Sequence, residues 1–526
     1  MGMNEQSRAR WITAGLLLGL LLASLDQTIV STAMPTIIEE LGGMSMYSWV
    51  FAIYMLASTA AMPIYGKLAD LYGRRKTYMI GLSLFLAGSL LCGIAQSIGQ
   101  LVVYRGIQGL GAGALLPISM TIVAELYPPE KRGKFMGLFS AVFALSSIVG
   151  PALGGVIVDH AAWGWIFLLN LPLGIPALFL IAAAMKESSS RGRAVIDWAG
   201  AFTLTAAIIS LLLALVLGGG DSGARGHYEW TSAPIITLFG TFVICTVLFI
   251  WAEKKAKEPI IPLHLLALRP IAAGNAVGFF MSAGMFGAIV YIPLFIQGVI
   301  GVSASVAGYS LVPLMLSVIV ASITGGKLMS RVSYRTILVP SMMLMVTGFV
   351  LLSQVSVNTS KLTIVLDMIV TGLGMGAIYP TVGTAAQSAV DQRDRGAATS
   401  VSQFFRSIGG TIGVSVFGSL LSSGIVQGAG QMNQITDGSK SMESLQGLAD
   451  PQLLLDPGAR AAMPAEQLAM LQKLFSHSLQ HVFIGGLIAV SVGLAACFFM
   501  GGARLVPKPS LLNETNGTEV TGSNRG

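Results

Sequence analysis

The chain has 526 residues, of which 54% are hydrophobic and only 10% are charged. A water-soluble domain carries about a quarter charged residues, so this chain has too little polar surface to cover a soluble globule of its length. The net charge of +7 does not indicate nucleic-acid binding, because the basic residues are divided among short segments between apolar stretches. The composition therefore predicts a membrane protein.

Fourteen apolar stretches of about 20 residues, the length that crosses a bilayer core, follow one another along the chain. They begin near Trp11, Tyr47, Thr77, Gln100, Lys134, Trp163, Asp197, Pro234, Ile271, Ala304, Arg335, Lys361, Ala397 and Gln480. The first lacks a clear small-residue cleavage site, so we interpret it as a retained helix. An even number of spans puts both termini on one side, and Arg8 and Arg10, together with the basic residues of alternate loops, put that side in the cytoplasm.

The first half of the sequence recurs in the second half. Residues 109–117 (GLGAGALLP) recur as residues 372–380 (GLGMGAIYP), at an offset of 263 residues. The first six and the last six stretches take part in this repeat, whereas the seventh and eighth have no counterpart. The repeat predicts an all-α polytopic membrane protein with 14 transmembrane helices, in which two six-helix lobes flank two inserted helices.

Four regions follow from this arrangement. We predict an N-terminal six-helix lobe over 1–190, two additional transmembrane helices over 191–258, a C-terminal six-helix lobe over 259–503, and a disordered cytoplasmic tail over 504–526. Within the second lobe, residues 425–478 are predicted to form an extracellular loop with one or two short helices on the outer surface. The tail is rich in Pro, Asn, Gly and Thr, which is typical of disorder.

The segment between the second and third stretches combines glycines with charged residues: Gly66, Asp70, Gly73, Arg74 and Arg75. Glycine permits a tight turn and close helix approach. Asp70 can accept hydrogen bonds from the N-terminus of a neighbouring helix or pair with arginine, so we predict a latch that holds the cytoplasmic side shut. The alternative is a basic anchor with a turn. Ser330 stands at the equivalent position of the repeat, which predicts a weaker latch in the second lobe.

Three ionisable residues fall at one depth of the predicted membrane. Asp26, Arg105 and Asp367 each lie about 8 to 9 Å below the outer surface at the rise of an α-helix. Charges in a bilayer are costly and usually functional, and burial penalises a charged carboxylate whereas a nearby arginine favours it. Our hypothesis makes Asp26 the main proton site, Arg105 its counter-charge and Asp367 a second proton or cation-contact site. The alternative is a static buried ion pair.

Further polar, methionine and aromatic residues in the spans are candidates for lining a substrate cavity, because methionine and aromatic side chains re-pack around varied ligands. These candidates are Gln27, Gln108, Phe279, Met285, Gln297, Gln403 and Arg406. The alternative for each is a lipid-facing or core position. His477 and His481 stand one helical turn apart, which favours interfacial histidines over a metal pair, and no metal site is predicted.

Several of these segments resemble signature motifs of the major facilitator superfamily. Residues 66–76 match its motif A, and residues 105–113 resemble its motif B. Residues 25–35 (LDQTIVSTAMP) look like the first-helix motif of its fourteen-span drug:proton antiporters, although Ser31 stands where asparagine is usual. The resemblance covers residues 11 to about 500.

Residues 150–155 (GPALGG) resemble motif C, the antiporter motif of this superfamily, although Ser146 replaces the leading glycine of that motif. Its signature residues are Gly150, Pro151, Gly154 and Gly155. Glycine and proline in a membrane helix bend it and let a neighbour come close, so simple packing is one interpretation. The resemblance implies, in addition, a hinge that seals against ion leak.

The resemblance implies a proton-coupled multidrug efflux antiporter that exports amphipathic, often cationic, compounds by alternating access. It implies a monomer in the bacterial plasma membrane, with small amphipathic substrates, protons and lipid as partners and no nucleic acid. No Walker-type phosphate loop is found, so the proton gradient replaces ATP and no cofactor is expected. An exporter of one metabolite, lipid, siderophore or antibiotic is the alternative within transport.

Two other classes of protein fit less well. A membrane-embedded enzyme is disfavoured because the sequence offers no metal-binding His-Glu-x-x-His helix and no Gly-x-Ser-x-Gly elbow in a suitable setting. A channel or sensor without coupled turnover leaves the predicted latch and the charges within the bilayer unexplained.

Overall fold

The computed structural model describes residues 4–42, 46–186, 197–218, 228–302, 310–435 and 457–504. Within these ranges the regular structure is helical, and β-pairing is limited to two isolated bridges. The α-helices are α1 (Glu5–Leu41), α2 (Tyr47–Tyr72), α3 (Arg74–Gly93), α4 (Ile98–Leu126), α5 (Pro129–His160), α6 (Trp165–Leu168), α7 (Asn170–Ala184), α8 (Trp198–Leu217), α9 (Ala233–Lys255), α10 (Leu263–Ala267), α11 (Arg269–Phe295), α12 (Val312–Leu328), α13 (Tyr334–Ser353), α14 (Lys361–Gly376), α15 (Ile378–Ser388), α16 (Arg395–Ile435), α17 (Pro457–Ala462) and α18 (Ala465–Cys497).

Twelve helical stretches in the described ranges are long and apolar enough to cross a membrane. The 17-residue α12 is a shorter apolar helix, and α5 has 32 residues. The tenth span was predicted to start near Ala304, whereas α12 begins at Val312, and residues 303–309 lie outside the described part of the chain. The predicted tail, after Arg504, also lies outside it.

The long helices form two packed groups. In the N-terminal bundle (α1–α7), α4 packs on α2 and α3, and α1 packs on α5 and α7. In the C-terminal bundle (α11–α16 and α18), α14 packs on α12 and α13, and α18 packs on α11, α13 and α16. The bundles meet where α16 packs on α2 and α12 packs on α5. Helices α8 and α9 pack on each other, and α8 also contacts α2 and α16.

The repeated glycine motif has the same packing role in both bundles. A Cβ added to Gly109 would lie closer than 3.0 Å to the carbonyl oxygen of Tyr54, and one added to Gly372 would be equally close to that of Leu314. The missing side chains therefore let α4 approach α2, and α14 approach α12, at backbone distance. Four residues further along, the same relationship joins Gly113 to Ser58 and Gly376 to Val318.

The outer faces of the helices are strongly apolar. Phe179, Trp198 and Phe202 are exposed by 71%, 74% and 76%. Aromatic surface of this extent would be unfavourable in water and is expected of side chains that face lipid. Helix α9 is the least buried of the candidate spans, with 17% of its most apolar window buried, so it lies at the periphery.

Residues 425–478, predicted to be an extracellular loop, are helical at both ends. Helix α16 continues to Ile435 and α18 begins at Ala465, so the loop prediction was wrong for these two ends. Leu471 and Phe475, which lie within this range, belong to α18 and are buried in the C-terminal bundle, so this part does not form a separate short helix on the outer surface. A mixed polar and apolar pattern suits one amphipathic face of a long helix as well as a surface helix. The short helix α17 precedes α18, and residues 436–456 are outside the described ranges.

Candidate proton-coupling site and substrate cavity

The predicted pair of Asp26 and Arg105 meets inside the N-terminal bundle. The Arg105 Nη1 atom lies 2.5 Å from Oδ2 of Asp26, and both side chains are almost completely buried, at 1% exposure or less. Asp26 is on α1 and Arg105 on α4, so the pair joins two helices. Removing one partner of a buried ion pair leaves the other charge uncompensated, so the pair fixes α1 against α4.

Two amides complete the coordination of the Asp26 carboxylate. Nε2 of Gln108 and Nδ2 of Asn170 donate to its Oδ1 at 2.7 and 3.3 Å. The same two nitrogen atoms lie 2.6 and 2.9 Å from Oγ of Ser89. The carboxylate is thus held by donors from α4 and α7, with Ser89 of α3 linking the amides. We predicted Gln108 as a cavity residue and missed Asn170 and Ser89, although Asn170 is a polar residue within the sixth apolar stretch.

Aromatic rings cover the guanidinium of Arg105. Its Cζ lies 4.2 Å from the ring centroid of Tyr54 and 5.8 Å from that of Phe167. Nη1 also donates to Oε1 of Gln108 at 2.7 Å, and Nε donates to the Val50 carbonyl at 3.3 Å. Ring faces carry negative potential and attract cations, so these contacts hold the arginine in place in addition to the ion pair.

Asp367 lies apart from this cluster. It is on α14 of the C-terminal bundle and is 3% exposed. None of the ion pairs found in the described part of the chain includes it. The shared depth that we inferred for Asp367, Asp26 and Arg105 therefore does not bring all three side chains into one site.

The motif A segment bridges the two bundles. The Asp70 carboxylate accepts hydrogen bonds from the backbone amides of Gly396 and Ala397, at 3.1 and 2.7 Å, at the N-terminus of α16. Arg74 pairs with Asp70 at 2.6 Å and with Glu125 at 3.1 Å. Free amides at a helix N-terminus favour an anion, so the carboxylate of one bundle is bound by a helix of the other.

The remaining motif A residues support this latch. Gly66 faces α16, where an added Cβ would lie closer than 3.0 Å to Ser400 and to the Gly396 carbonyl. Gly73 has φ 97°, a backbone conformation that glycine adopts readily, and it makes the turn between α2 and α3. Arg75 donates to the Ala182 carbonyl at 2.7 Å, within its own bundle. In the repeat, Ser330 donates to the Lys327 carbonyl of its own segment.

Motif C packs on the helix that carries Asp26. Gly150 faces α1, where an added Cβ would collide with the side chain of Thr28, and the Thr28 hydroxyl donates to the Ser146 carbonyl at 2.9 Å. Gly154 is buried, whereas an added Cβ at Gly155 would meet nothing within 4 Å. Pro151 lies within α5. Part of motif C therefore sets how closely α5 approaches α1.

A cavity of about 220 Å³ lies between the bundles. Its wall is formed by α1, α2, α4 and α5 on one side and by α11, α12, α14, α15 and α16 on the other. The lining is mainly apolar and rich in methionine, namely Met55, Met62, Met281, Met285, Met315 and Met375. Such a wall accommodates apolar ligands of varied shape.

The structure separates our seven cavity candidates into two groups. Gln27, Met285, Gln403 and Arg406 line the cavity. Gln108 belongs to the Asp26 cluster instead. Phe279 is packed edge-on against Phe280, and Gln297 lies in the π-helical turn after α11, where its carbonyl and that of the next residue accept from Arg460.

His477 and His481 stack edge to face, with ring centroids 4.7 Å apart. Among the described residues, no group of three or more potential metal-ligating side chains is found.

Comparison with known proteins agrees with these features. The family described as the Major Facilitator Superfamily matches residues 16–414. The chain is 38% identical to "Multidrug resistance protein 3" of Bacillus subtilis over 97% of its own length and 99% of that protein. It is 40% identical to "Multidrug transporter protein MdtP" of the same organism, over 96% of this chain and 95% of that one.

A solved structure shows the same fold at much lower sequence similarity. The chain superposes on the proton:xylose symporter XylE with a TM-score of 0.58 and 14% identity, covering 94% of this chain and 96% of the symporter. The family prediction and the prediction of an all-α membrane protein are therefore confirmed, and the chain is a transporter and not an enzyme.

Proposed function

Because the chain belongs to the major facilitator superfamily, we propose that it is a proton-coupled multidrug efflux antiporter that exports amphipathic compounds by alternating access. It crosses a bacterial plasma membrane fourteen times, as a monomer, with both termini in the cytoplasm and α8 and α9 inserted between the two lobes. Proton movement drives it, and no cofactor is needed. Multidrug transporters with 38% and 40% identity support the export of varied compounds.

The observation that carries the proposal is the position of Asp26 beside the cavity but outside its wall. Ser24 and Gln27, on the same helix, line the cavity, as does Tyr54, whose ring covers Arg105. The carboxylate is thus separated from the substrate space by one layer of side chains. A proton site in this position can respond to movements of α1 without touching the substrate.

Exchange follows from the two ways in which the Asp26 carboxylate can be stabilised. With the motif A latch closed, Arg105, Gln108 and Asn170 donate to the carboxylate. A proton that enters from the outside binds the Asp26 carboxylate in this conformation and weakens its attraction to Arg105, so the lobes can rock. Once the cavity opens to the cytoplasm, Asp26 releases the proton there, and proton entry is thereby coupled to export. Asp367 serves as a secondary site in the other lobe.

Transport into inverted membrane vesicles tests the proposal. Amphipathic dyes of different charge should accumulate when a proton gradient is imposed, and accumulation should stop when an uncoupler removes the gradient. Asp26→Asn should abolish gradient-driven accumulation while the purified protein stays folded, with a lower unfolding temperature because Arg105 loses its partner. Asp367→Asn, a change at an equally buried carboxylate, should reduce accumulation only in part. Normal gradient-driven export by the Asp26→Asn protein would refute the proposal.

A further inference from the structure

Arg406 gives the cavity wall a charge that no neighbouring acid neutralises. It is on α16, is 8% exposed, and lines the cavity from the C-terminal bundle. Its Cζ lies 3.5 Å from the ring centroid of Tyr379, and its Nε has no hydrogen-bond partner. No ion pair in the described part of the chain includes it. A guanidinium is always charged in proteins, so this position carries a buried cation with an aromatic face beneath it.

The rest of the described wall contains no acidic residue. Its lining consists of apolar side chains and of neutral polar ones, such as Gln27, Ser58 and Thr59. Asp26 does not reach the cavity, because it is enclosed in its own cluster and paired with Arg105. The charge that a substrate meets along the described wall is therefore positive.

Neutral polar groups extend the site along the same helix. Gln403, Ser407 and Thr411 follow one another at intervals of four residues and line the cavity beside Arg406. Residues at this spacing share one face of a helix. Gln403 is 8% exposed and lines the cavity next to Arg406, and its amide nitrogen is a hydrogen-bond donor. A buried cation beside an amide that can donate forms a site for an anionic group.

We propose that the cavity selects amphipathic compounds with an anionic group, a carboxylate or sulfonate bound by Arg406 and Gln403, while the apolar part lies against the methionine-rich wall. The inference rests on the proposed export function and names its substrate class. It differs from the cationic preference that the family resemblance implies, because a cation would have to lose water next to an unpaired guanidinium. An anion instead gains a charge-assisted hydrogen bond in a site shielded from water.

Binding of two matched dyes to the full-length protein in nanodiscs of neutral lipid tests this inference. One dye is a rhodamine with a free carboxylate, and the other is its ethyl ester, so the pair differs only in the anionic group. The carboxylate dye should bind about tenfold or more tightly than the ester. Arg406→Gln should remove most of this preference, and Arg406→Lys should keep part of it. Arg335→Gln, at an exposed arginine that contacts Phe498 outside this cavity, should leave it unchanged.

A second measurement needs no variant. An alkyl sulfonate should displace the carboxylate dye from the unaltered protein at a lower concentration than an alkyl trimethylammonium of equal chain length. Equal or tighter binding of the ester, better displacement by the ammonium compound, or an unchanged preference in Arg406→Gln would overturn the inference. Binding of neither dye would overturn both proposals. The expected preference without gradient-driven export would overturn the proposed function alone.

The anionic group could belong to a soluble amphipath or to a lipid headgroup, and the lipid composition distinguishes them. Nanodiscs that contain phosphatidylglycerol should weaken binding of the carboxylate dye in an Arg406-dependent manner if an anionic lipid enters the cavity. Unchanged dye binding identifies the soluble compound as the occupant. Both results support an anion site.

Discussion

Asp70 of α2 accepts a hydrogen bond at 2.7 Å from the backbone amide of Ala397, in the first turn of α16. This bond crosses from one bundle to the other, and the pairing of the same carboxylate with Arg74 keeps it in position. The structure is therefore closed at the motif A side, which the proposed topology places in the cytoplasm.

Breaking this latch should open the closed side. Asp70→Asn removes the charge, so its bonds to the amides of α16 weaken and its ion pair with Arg74 is lost. Ser400 is 1% exposed and is replaced by cysteine (Ser400→Cys) as a reporter. We expect this cysteine to react with a soluble maleimide about tenfold faster when Asp70→Asn is also present. The labelling is done with Cys245, the least buried native cysteine, replaced by alanine.

Ser330 supplies the matched control for the latch. It stands at the repeat-equivalent position but bonds within its own segment, so Ser330→Ala should leave the labelling rate unchanged. Equal rates in the Asp70→Asn and unaltered proteins would show that Asp70 does not hold the bundles together.

Asn170 should be needed for coupling at the Asp26 cluster. Asn170→Leu removes a donor to the carboxylate while keeping a similar volume, so the cluster holds the carboxylate less firmly. We expect gradient-driven dye accumulation in inverted vesicles to fall about threefold or more. Accumulation with and without an uncoupler measures this loss.

Asn275 is the control for that substitution. It lies in the C-terminal bundle, is as buried as Asn170, at 3% exposure, and its Oδ1 accepts a hydrogen bond from the Ser402 hydroxyl. Asn275→Leu should leave gradient-driven accumulation unchanged. Normal accumulation in Asn170→Leu, or equal losses in both variants, would contradict a specific role of Asn170.

The glycines of the repeat should differ sharply in their tolerance of a methyl group. Gly109→Ala places a Cβ closer than 3.0 Å to the Tyr54 carbonyl, so we expect a loss of about 1–3 kcal/mol of stability. Gly155→Ala meets nothing within 4 Å and should be neutral or slightly stabilising, because alanine favours helix. Unfolding of the two proteins in the same detergent provides the comparison, and equal stability would show that α4 and α2 can separate without loss.

Two ion pairs of motif A should contribute unequally to stability. Lys67 pairs with Glu258 at 2.7 Å, but the Glu258 side chain is 47% exposed, so a double-mutant cycle with Lys67→Met and Glu258→Gln should give a coupling of about 1 kcal/mol or less. The Asp70–Arg74 pair is buried on both sides, and removing one partner should cost about 3–5 kcal/mol. A larger loss from Glu258→Gln than from Arg74→Gln would reverse this order.

The depth of a residue in the membrane could be predicted from the sequence, whereas the face of the helix on which its side chain lies could not. Asp26 and Arg105 were paired because the helical rise converts sequence position into height. The same reasoning gave Asp367 the same height in the second lobe, but it could not show that the two lobes leave this carboxylate away from the pair. Gln27 and Gln108 were assigned to one cavity, yet the structure divides them between cavity and proton cluster, because a helix that is apolar on all sides carries no periodic signal of which face is inward.

Local motifs predicted their contacts more completely. Asp70, followed by arginine next to a glycine turn, suggested a carboxylate that binds the amides of a helix N-terminus. In the structure, the backbone amides of Gly396 and Ala397 donate to it. Ser89 carried no such signal, since a serine in an apolar helix can satisfy itself on its own backbone. Its role depends on Gln108 and Asn170, which come from distant parts of the chain.

Each bundle is held together by backbones in direct contact at its glycines, which leaves little room for adjustment inside it. Beside the cavity, away from the motif A latch, the seam between the bundles is made differently. There the Tyr379 hydroxyl meets the sulfur of Met120 at 3.8 Å, and the Ser407 hydroxyl meets that of Met62 at 3.6 Å. Thioethers are weak, polarisable acceptors on flexible stems, so these contacts can slide and re-form with little loss. Because each bundle is rigid and the thioether contacts between the bundles are adaptable, the two bundles would rotate against each other as rigid bodies.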